Sequence, residues 1–299
     1  MYLNKHSGLS HGKVADVLTR LGIPLTRGAS AQIMLRASRK LQPVYEELLQ
    51  ALPKEKHLTP DETGWRLGGR PAWLHAWVGA KITCFAIDPQ RSADALERVI
   101  GLNWSGTMTH DGASTYNRFM EAGHQQCVFH VLHRAHDLEA IQVGRAKVFP
   151  RQVITLFQGA LQVRDAFLAG TLDEPALAAA HDRYVEELLD LSEPPRINAA
   201  NERLANHVYH YGEQWLAFLK DPSIPATNHR AEQALKVPIV NRKIWGGNRT
   251  AAGAKAQCVL QSTLATCQQQ EVSFLGFLGN CLRGFLSKLC GSALPEPGR

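Results

Sequence analysis

No apolar run in this chain of 299 residues approaches the length of about 20 that a membrane-spanning helix needs. The start, Met1 to Ser10, lacks the apolar core of a secretion signal, so the expected location is the cytosol. Six cysteines are present (Cys84, Cys127, Cys258, Cys267, Cys281 and Cys290), but none pairs with another in a C-x-x-C motif. Without a secretion signal this argues for reduced thiols and against a disulfide framework. Internal repeats and low-complexity tracts are missing too, which excludes a repeat architecture. Acid is scarce in one window: residues 228–257 hold six Lys/Arg against Glu232 alone.

What is there is ordinary in bulk and uneven in charge. A hydrophobic fraction of 44% and a charged fraction of 20% suit a globular protein with one large core or two smaller ones. Residues 1–59 carry nine Lys/Arg against four Asp/Glu, while residues 137–227 carry eight against thirteen. Two basic segments flanking an acidic one point to a polyanion met by the ends of the chain; the alternative is a set of solvated basic faces.

Residues 1–56 read as helices. Ser10 precedes a periodic run through Val14, Val17, Leu18 and Leu21 that Gly22 can end; a second pattern follows Thr26, and a further helix spans Val44 to Leu52, ending at Pro53. A helix, a short turn and a helix are compatible with a helix-turn-helix DNA reader or with a plain helical pair. From Leu58 the texture changes. Trp73 to Val78 and Ile82 to Ile87 form a predicted hairpin around Gly79-Ala80-Lys81. Ser92 to Ile100 reads as a helix capped by Ser92. A strand at 106–110, a helix around Tyr116 to Met120 and a strand from Gln126 to Phe129 complete this part. Residues 138–220 are helical in pattern, with one stripe at Val153, Leu156, Phe157, Ala160 and Leu161 and another at Leu204, Val208, Tyr211, Trp215, Phe218 and Leu219, separated by Pro194-Pro195. The tail from Ser292 is expected to be disordered.

Three acids stand out. Asp61 falls in the first predicted strand and Asp111 at the end of the fourth, before Gly112. If those strands are neighbours, the two carboxylates repel unless a cation lies between them, and Mg²⁺ suits oxygen ligands while retaining water. Each residue alone also fits a bland role, Asp61 starting a turn and Asp111 capping the next helix. Glu232 follows the loop Asp221 to Asn228 in the first turn of a helix, with Thr227 or Asn228 as its cap and Asn228 one turn before it. It is either an ion-pair partner, for instance of Lys236, or a metal ligand. Cys127, His130, His133 and His136 recur every three residues; on a helix each step falls about 60° short of a turn, so the four cannot converge on zinc, though Cys127 and His130 could pair at a strand end.

The phrases Asp61-Glu62-Thr63-Gly64, His110-Asp111-Gly112, Pro225-Ala226-Thr227-Asn228-His229-Arg230-Ala231-Glu232 and Asn241-Arg242-Lys243 resemble, in order and spacing, the catalytic domain of insertion sequence 66 family transposases. The resemblance spans roughly residues 5–280 and implies an α/β, ribonuclease H-like mixed sheet with flanking helices, a helical insertion and an N-terminal helical segment. It divides the chain into residues 1–56, a core first part at 57–137, an insertion at 138–224, a core C-terminal part at 225–290 and a tail at 291–299. It implies a DDE triad of Asp61, Asp111 and Glu232, which would hold two Mg²⁺ ions, with Mn²⁺ as a substitute, for in-line phosphoryl transfer.

The same resemblance implies DNA as partner, both element ends and target, a homo-oligomer assembled on that DNA, no membrane, and a bacterial cytoplasmic setting. Arg230, Lys236, Arg242, Lys243, Arg249 and Lys255 would contact phosphates, and Trp245 would either stack on an unpaired base or sit in the core. Asn228, Cys127 and His130 would support the site. The zinc-binding module and coiled coil that such transposases carry upstream are not among these residues, which leaves recognition of element ends to the helix pair at 9–40. The competing readings are a ribonuclease H-like nuclease that only hydrolyses and an inactive, truncated DNA-binding remnant.

Overall fold

The computed structural model describes residues 1–193, 195–284 and 289. Two compact units emerge: Met1–Trp104 with the described residues from His229 onward, and Ser105–Asn228. Both contain strands and helices, so the chain is mixed α/β. The expected disordered tail, Pro194 and Cys290 lie outside the described residues.

The first unit opens with α1 (Tyr2–Lys5), α2 (His11–Arg20) and α3 (Arg27–Ala51). Hydroxyl oxygens cap α2 and α3: Ser10 accepts from the Lys13 N–H and Thr26 from the Ala29 N–H. Gly22, at φ 82°, lets the chain leave α2 as expected. The separate helix expected from Val44 does not exist. One helix runs from Arg27 to Ala51 with Pro43 inside it. A proline removes one backbone donor, and here the buried stripe Met34, Ala37, Leu41, Val44 and Leu48, with α3 packed on α11 (Ala251–Gln269), outweighs that loss.

Strands β1 (His57–Leu67), β2 (Arg70–Val78) and β3 (Thr83–Asp88) form an antiparallel meander. The β1–β2 turn rests on Gly68 and Gly69 at φ 60° and 82°, the positive pair that a tight two-residue hairpin requires. The expected β2–β3 hairpin is present, closed by the Gly79 N–H on the Ile82 carbonyl at 2.8 Å. Helix α4 (Asp94–Ile100) starts two residues later than expected and has no side-chain cap; the Ser92 hydroxyl is buried without a hydrogen bond among the described residues. Its first turn instead carries Asp94 and Glu97, which suit the positive end of the helix.

Alternation sorts β1 into two faces. Trp65 and Leu67 point into an apolar cluster with Ala72, Leu74, Ala76, Phe85 and Leu235, the last supplied by α10 (His229–Trp245). The outer edge of β3 is closed by side chains. Ser262 accepts from the Phe85 N–H at 2.8 Å, Thr266 accepts from the Thr83 N–H at 3.1 Å, and the Tyr45 hydroxyl donates to the Phe85 carbonyl at 2.8 Å. Hydroxyls thus satisfy an edge that would otherwise invite another strand.

In the second unit β4 (Thr107–His110) pairs in parallel with β5 (Gly123–Gln126). Between them the helix expected around Tyr116–Met120 is a 3₁₀ turn at Ser114–Arg118. The strand expected to reach Phe129 stops at Gln126, because the Cys127 and Val128 N–H groups turn to the carbonyls of His110 and Ala226 and α5 (Val128–Ile141) begins. The helical block follows as α6 (Val148–Leu168), α7 (Glu174–Ser192), α8 (Ala199–Tyr211) and α9 (Ala217–Lys220). Both expected stripes meet in its core, where Val153, Phe157 and Ala160 join Leu204, Val208, Trp215, Phe218 and Leu219.

Among the described residues no disulfide joins Cys84, Cys127, Cys258, Cys267 or Cys281. Among the described residues no helix is long and apolar enough to cross a membrane.

Candidate functional site

Asp61 lies at the middle of β1, opposite Ala76 on β2. It shares the odd-numbered face of β1 with Trp65 and Leu67, the face on which α10 packs. Its Oδ1 accepts the Glu62 N–H at 2.8 Å. Glu62 points to the other face, where Arg91 donates to Oε1 at 2.8 Å and its guanidinium lies over Trp73. With a side chain only 5% exposed and engaged there, Glu62 is the structural member of the acidic pair.

Glu232 sits in the first turn of α10, one turn before the buried Leu235, and so on the sheet-facing side of that helix. Its Oε2 is 3.9 Å from His229 Nδ1. Two half-buried carboxylates therefore stand on packed elements of one unit. Their oxygen donors fit a hard divalent cation that keeps part of its hydration, and not a thiolate-preferring one. Among the described residues no group of three or more His, Cys, Asp or Glu side chains is drawn together closely enough to hold a metal ion.

Asp111 belongs to the second unit, exposed on the turn that leaves β4. Its Oδ1 accepts the Ala113 N–H at 3.0 Å. Gly112 adopts φ 88°, and a Cβ there would stand 3.1 Å from Gln126 Oε1. The Gly112 N–H donates to His110 Nδ1 at 3.1 Å, while the Tyr211 hydroxyl donates to the Gly112 carbonyl at 3.2 Å. His110 Nε2 lies 3.0 Å from His124 Nδ1, and His124 Nε2 lies 3.2 Å from the Phe119 carbonyl. Burial, then the neighbouring His124, pushes the His110 imidazole down to about 3, and burial lowers His124 as well. Both rings are neutral at pH 7. Sequence reasoning missed this network; its one visible signal was a histidine at matching strand parity on either side of a short turn.

The remaining candidates divide by environment. Asn228 directly precedes α10 and is buried, with Oδ1 lacking a hydrogen-bond partner among the described residues, so of the two expected caps, Thr227 and Asn228, the Asn228 side chain does not serve. Its N–H donates to the buried Cys127 Sγ at 3.4 Å. His130 lies on the first turn of α5, three residues after Cys127. Arg230 is spent on the β2–β3 turn, donating to the carbonyls of Gly79 and Ala80 at 3.0 and 3.1 Å. Arg242 is half-buried beside Gly64. Lys236, Lys243, Arg249 and Lys255 are exposed.

The Trp245 ring meets Trp65 edge-on at 6.0 Å and lies under Lys5 Nζ at 5.2 Å, partners that occupy it within its own unit. Asn241, in the same helix, donates to the Lys5 carbonyl at 2.8 Å. Burial pushes Lys5 down to about 8. Downstream, Gly246 to Arg249 folds back along the end of β1: the Asn248 N–H donates to Arg66, the Gly68 N–H to Asn248, and Trp65 Nε1 to Asn248 Oδ1.

No curated protein and no solved structure matches the chain. The sequence model described as Transposase IS66 family matches residues 1–256, which include Asp61, Asp111, Glu232 and the Asn241-Arg242-Lys243 segment, and the chain belongs to that family.

Proposed function

We propose that the protein is a DDE transposase in which Asp61, Asp111 and Glu232 act as one carboxylate set, within a ribonuclease H-like fold, to cut element ends and join them to target DNA. The observation that carries this reading is the placement of Asp61 and Glu232 on the packed sides of β1 and α10, in a family whose members move DNA. Bound divalent cations, Mg²⁺ or Mn²⁺, would supply Lewis-acid stabilisation to the attacking and leaving oxygens.

The protein's own part is to hold and orient. The three carboxylates would hold the divalent cations against whose positive charge a phosphodiester is set in line. In the first step a water oxygen bonds to phosphorus, the bond to the element's 3′-oxygen breaks, and that oxygen takes up a proton. In the second step the new 3′-hydroxyl gives its proton to solvent and attacks a target phosphodiester, displacing the target's 3′-oxygen, which takes up a proton. Each step exchanges one P–O bond for another, and no covalent protein intermediate is needed. Lys243 and Arg249, exposed near the end of α10 and the fold-back beyond it, suit phosphate contacts that position DNA without reading its sequence.

The test is incubation of the protein with DNA carrying the element's ends in their genomic flanks, a target plasmid and Mg²⁺. Nicks that leave 3′-hydroxyls at the ends, followed by end-to-target joints, are the expected products. Nicks without joints identify a hydrolytic nuclease, and intact DNA identifies an inactive remnant; either contradicts the proposal.

A further inference from the structure

The Asp111 turn is held by an unusual set of partners for a surface loop. His110 is fully buried, yet its ring makes two polar contacts, one to the turn and one to His124. The direction of each hydrogen bond follows from chemistry. A backbone N–H can only donate, so Gly112 fixes His110 Nδ1 as an acceptor and the ring proton on Nε2. That proton must point to His124 Nδ1, which makes Nδ1 of the second ring an acceptor in turn. The His124 proton then sits on Nε2 and meets the Phe119 carbonyl, which can only accept. The run of bonds is Gly112 to His110 to His124 to Phe119, with every donor and acceptor used once. It permits one tautomer for each ring and tolerates no added proton.

Register explains why two histidines meet here. His110 pairs with Gln126 across the parallel strands, and His124 stands two residues before Gln126, on the same side of the pair. From the opposite direction Tyr211 of α8 holds the Gly112 carbonyl. The backbone on the C-terminal side of Asp111 is therefore pinned through both its N–H and its C=O, and the Cα–Cβ direction of Asp111 follows from that.

We propose that His110 and His124 are positioning residues that set the Asp111 carboxylate for divalent cation binding. This rests on the reading of Asp111 as a ligand given above. Neither histidine touches the reacting atoms. Partners one shell behind a metal ligand typically change metal affinity by about 10–100-fold when removed.

The test uses conservative variants of the full chain with Mn²⁺ as probe, its binding followed by the loss of the free-ion electron paramagnetic resonance signal. His110→Asn keeps an acceptor where Nδ1 stands and can still take the Gly112 N–H. His110→Gln moves the acceptor to the place of Nε2 and leaves that N–H unanswered. His110→Asn should hold Mn²⁺ affinity within about 3-fold of the wild type, and His110→Gln should weaken it by about 10-fold or more. His124→Leu removes the same Nε2 contact that His110→Asn removes and should match it, within about 3-fold of the wild type, with His124→Asn, which restores the Nδ1-like acceptor, nearer still. A merely structural role predicts equal effects from Asn and Gln at position 110. Equal affinities for those two variants, with Asp111→Asn clearly weakened, would overturn the positioning role alone. Wild-type affinity in Asp111→Asn would overturn the ligand reading and the positioning role with it. Should His124→Leu fail to fold, the Asn and Gln pair at position 110 still decides.

Discussion

His110 and His207 show how burial at single residues becomes a property of the fold. Burial, then Arg134 and His210, pushes the His207 imidazole down to about 4, where it packs edge-on against Tyr211 and Trp215. His110 is lowered further, to about 3. In the unfolded chain both take up a proton near pH 6.5. Below that pH the unfolded state binds more protons than the folded one, so stability falls as pH drops from about 6.5 towards 4. Urea unfolding at pH 7 and pH 5 should show the lower midpoint at pH 5, with a smaller drop in His207→Phe. An unchanged midpoint would mean that these rings titrate normally in the folded protein. At this scale the sequence was partly legible. That Asp61 lies in a strand and Glu232 in the first turn of a helix could be read, because the local pattern marks both elements. The His110–His124 pair could not, because it depends on the register between two four-residue strands. Charge marked Arg230 as a phosphate contact, and Trp245 was left between base stacking and the core; the turn carbonyls beside Arg230 and the Lys5 side chain beside Trp245 are not visible in sequence.

Among the elements, local signals succeeded where they were chemical. Ser10 and Thr26 cap helices through their hydroxyls, and the Gly79 turn joins two strands as its residues suggest. They failed where tertiary packing decides. Pro43 does not break α3, because the stripe on either side of it is buried. The fold-back after α10 illustrates the same point. Gly247 adopts φ 102°, and a Cβ there would come within 2.6 Å of the Arg66 carbonyl. Gly247→Ala should therefore destabilise the protein by about 2 kcal/mol, combining backbone strain with a displaced β1 end. Thermal unfolding measures it, and a change below about 0.5 kcal/mol would show that the fold-back contributes little. The last turn of α10 and this fold-back together carry the basic cluster. Replacing Arg242, Lys243 and Arg249 together by Ala should lower the slope of log affinity against log salt by about 2–3 units on any duplex, at about 0.9 per phosphate contact. Titrations on two unrelated duplexes check this. An unchanged slope would leave these residues as a solvated face and move the DNA path elsewhere, the basic N-terminal helices being the next candidate.

For the whole molecule, the order of strands and helices and the four motif phrases together made the family legible, and the match over residues 1–256 bears that out. The division into Met1–Trp104 with the segment from His229, and Ser105–Asn228, was not legible, because β4 and β5 are too short to signal which core they join. The central claim is that Asp111, Asp61 and Glu232 act as one carboxylate set on DNA. It is tested most directly by Asp111→Asn, measuring end cleavage in Mg²⁺ and DNA affinity in its absence on the same preparation. The amide keeps the shape of the side chain and removes its charge. Loss of about 4 kcal/mol of charge stabilisation should lower the cleavage rate by about 10³-fold. DNA affinity should stay the same or rise, since one negative charge facing phosphate is gone. Cleavage at the wild-type rate in Asp111→Asn would contradict the account.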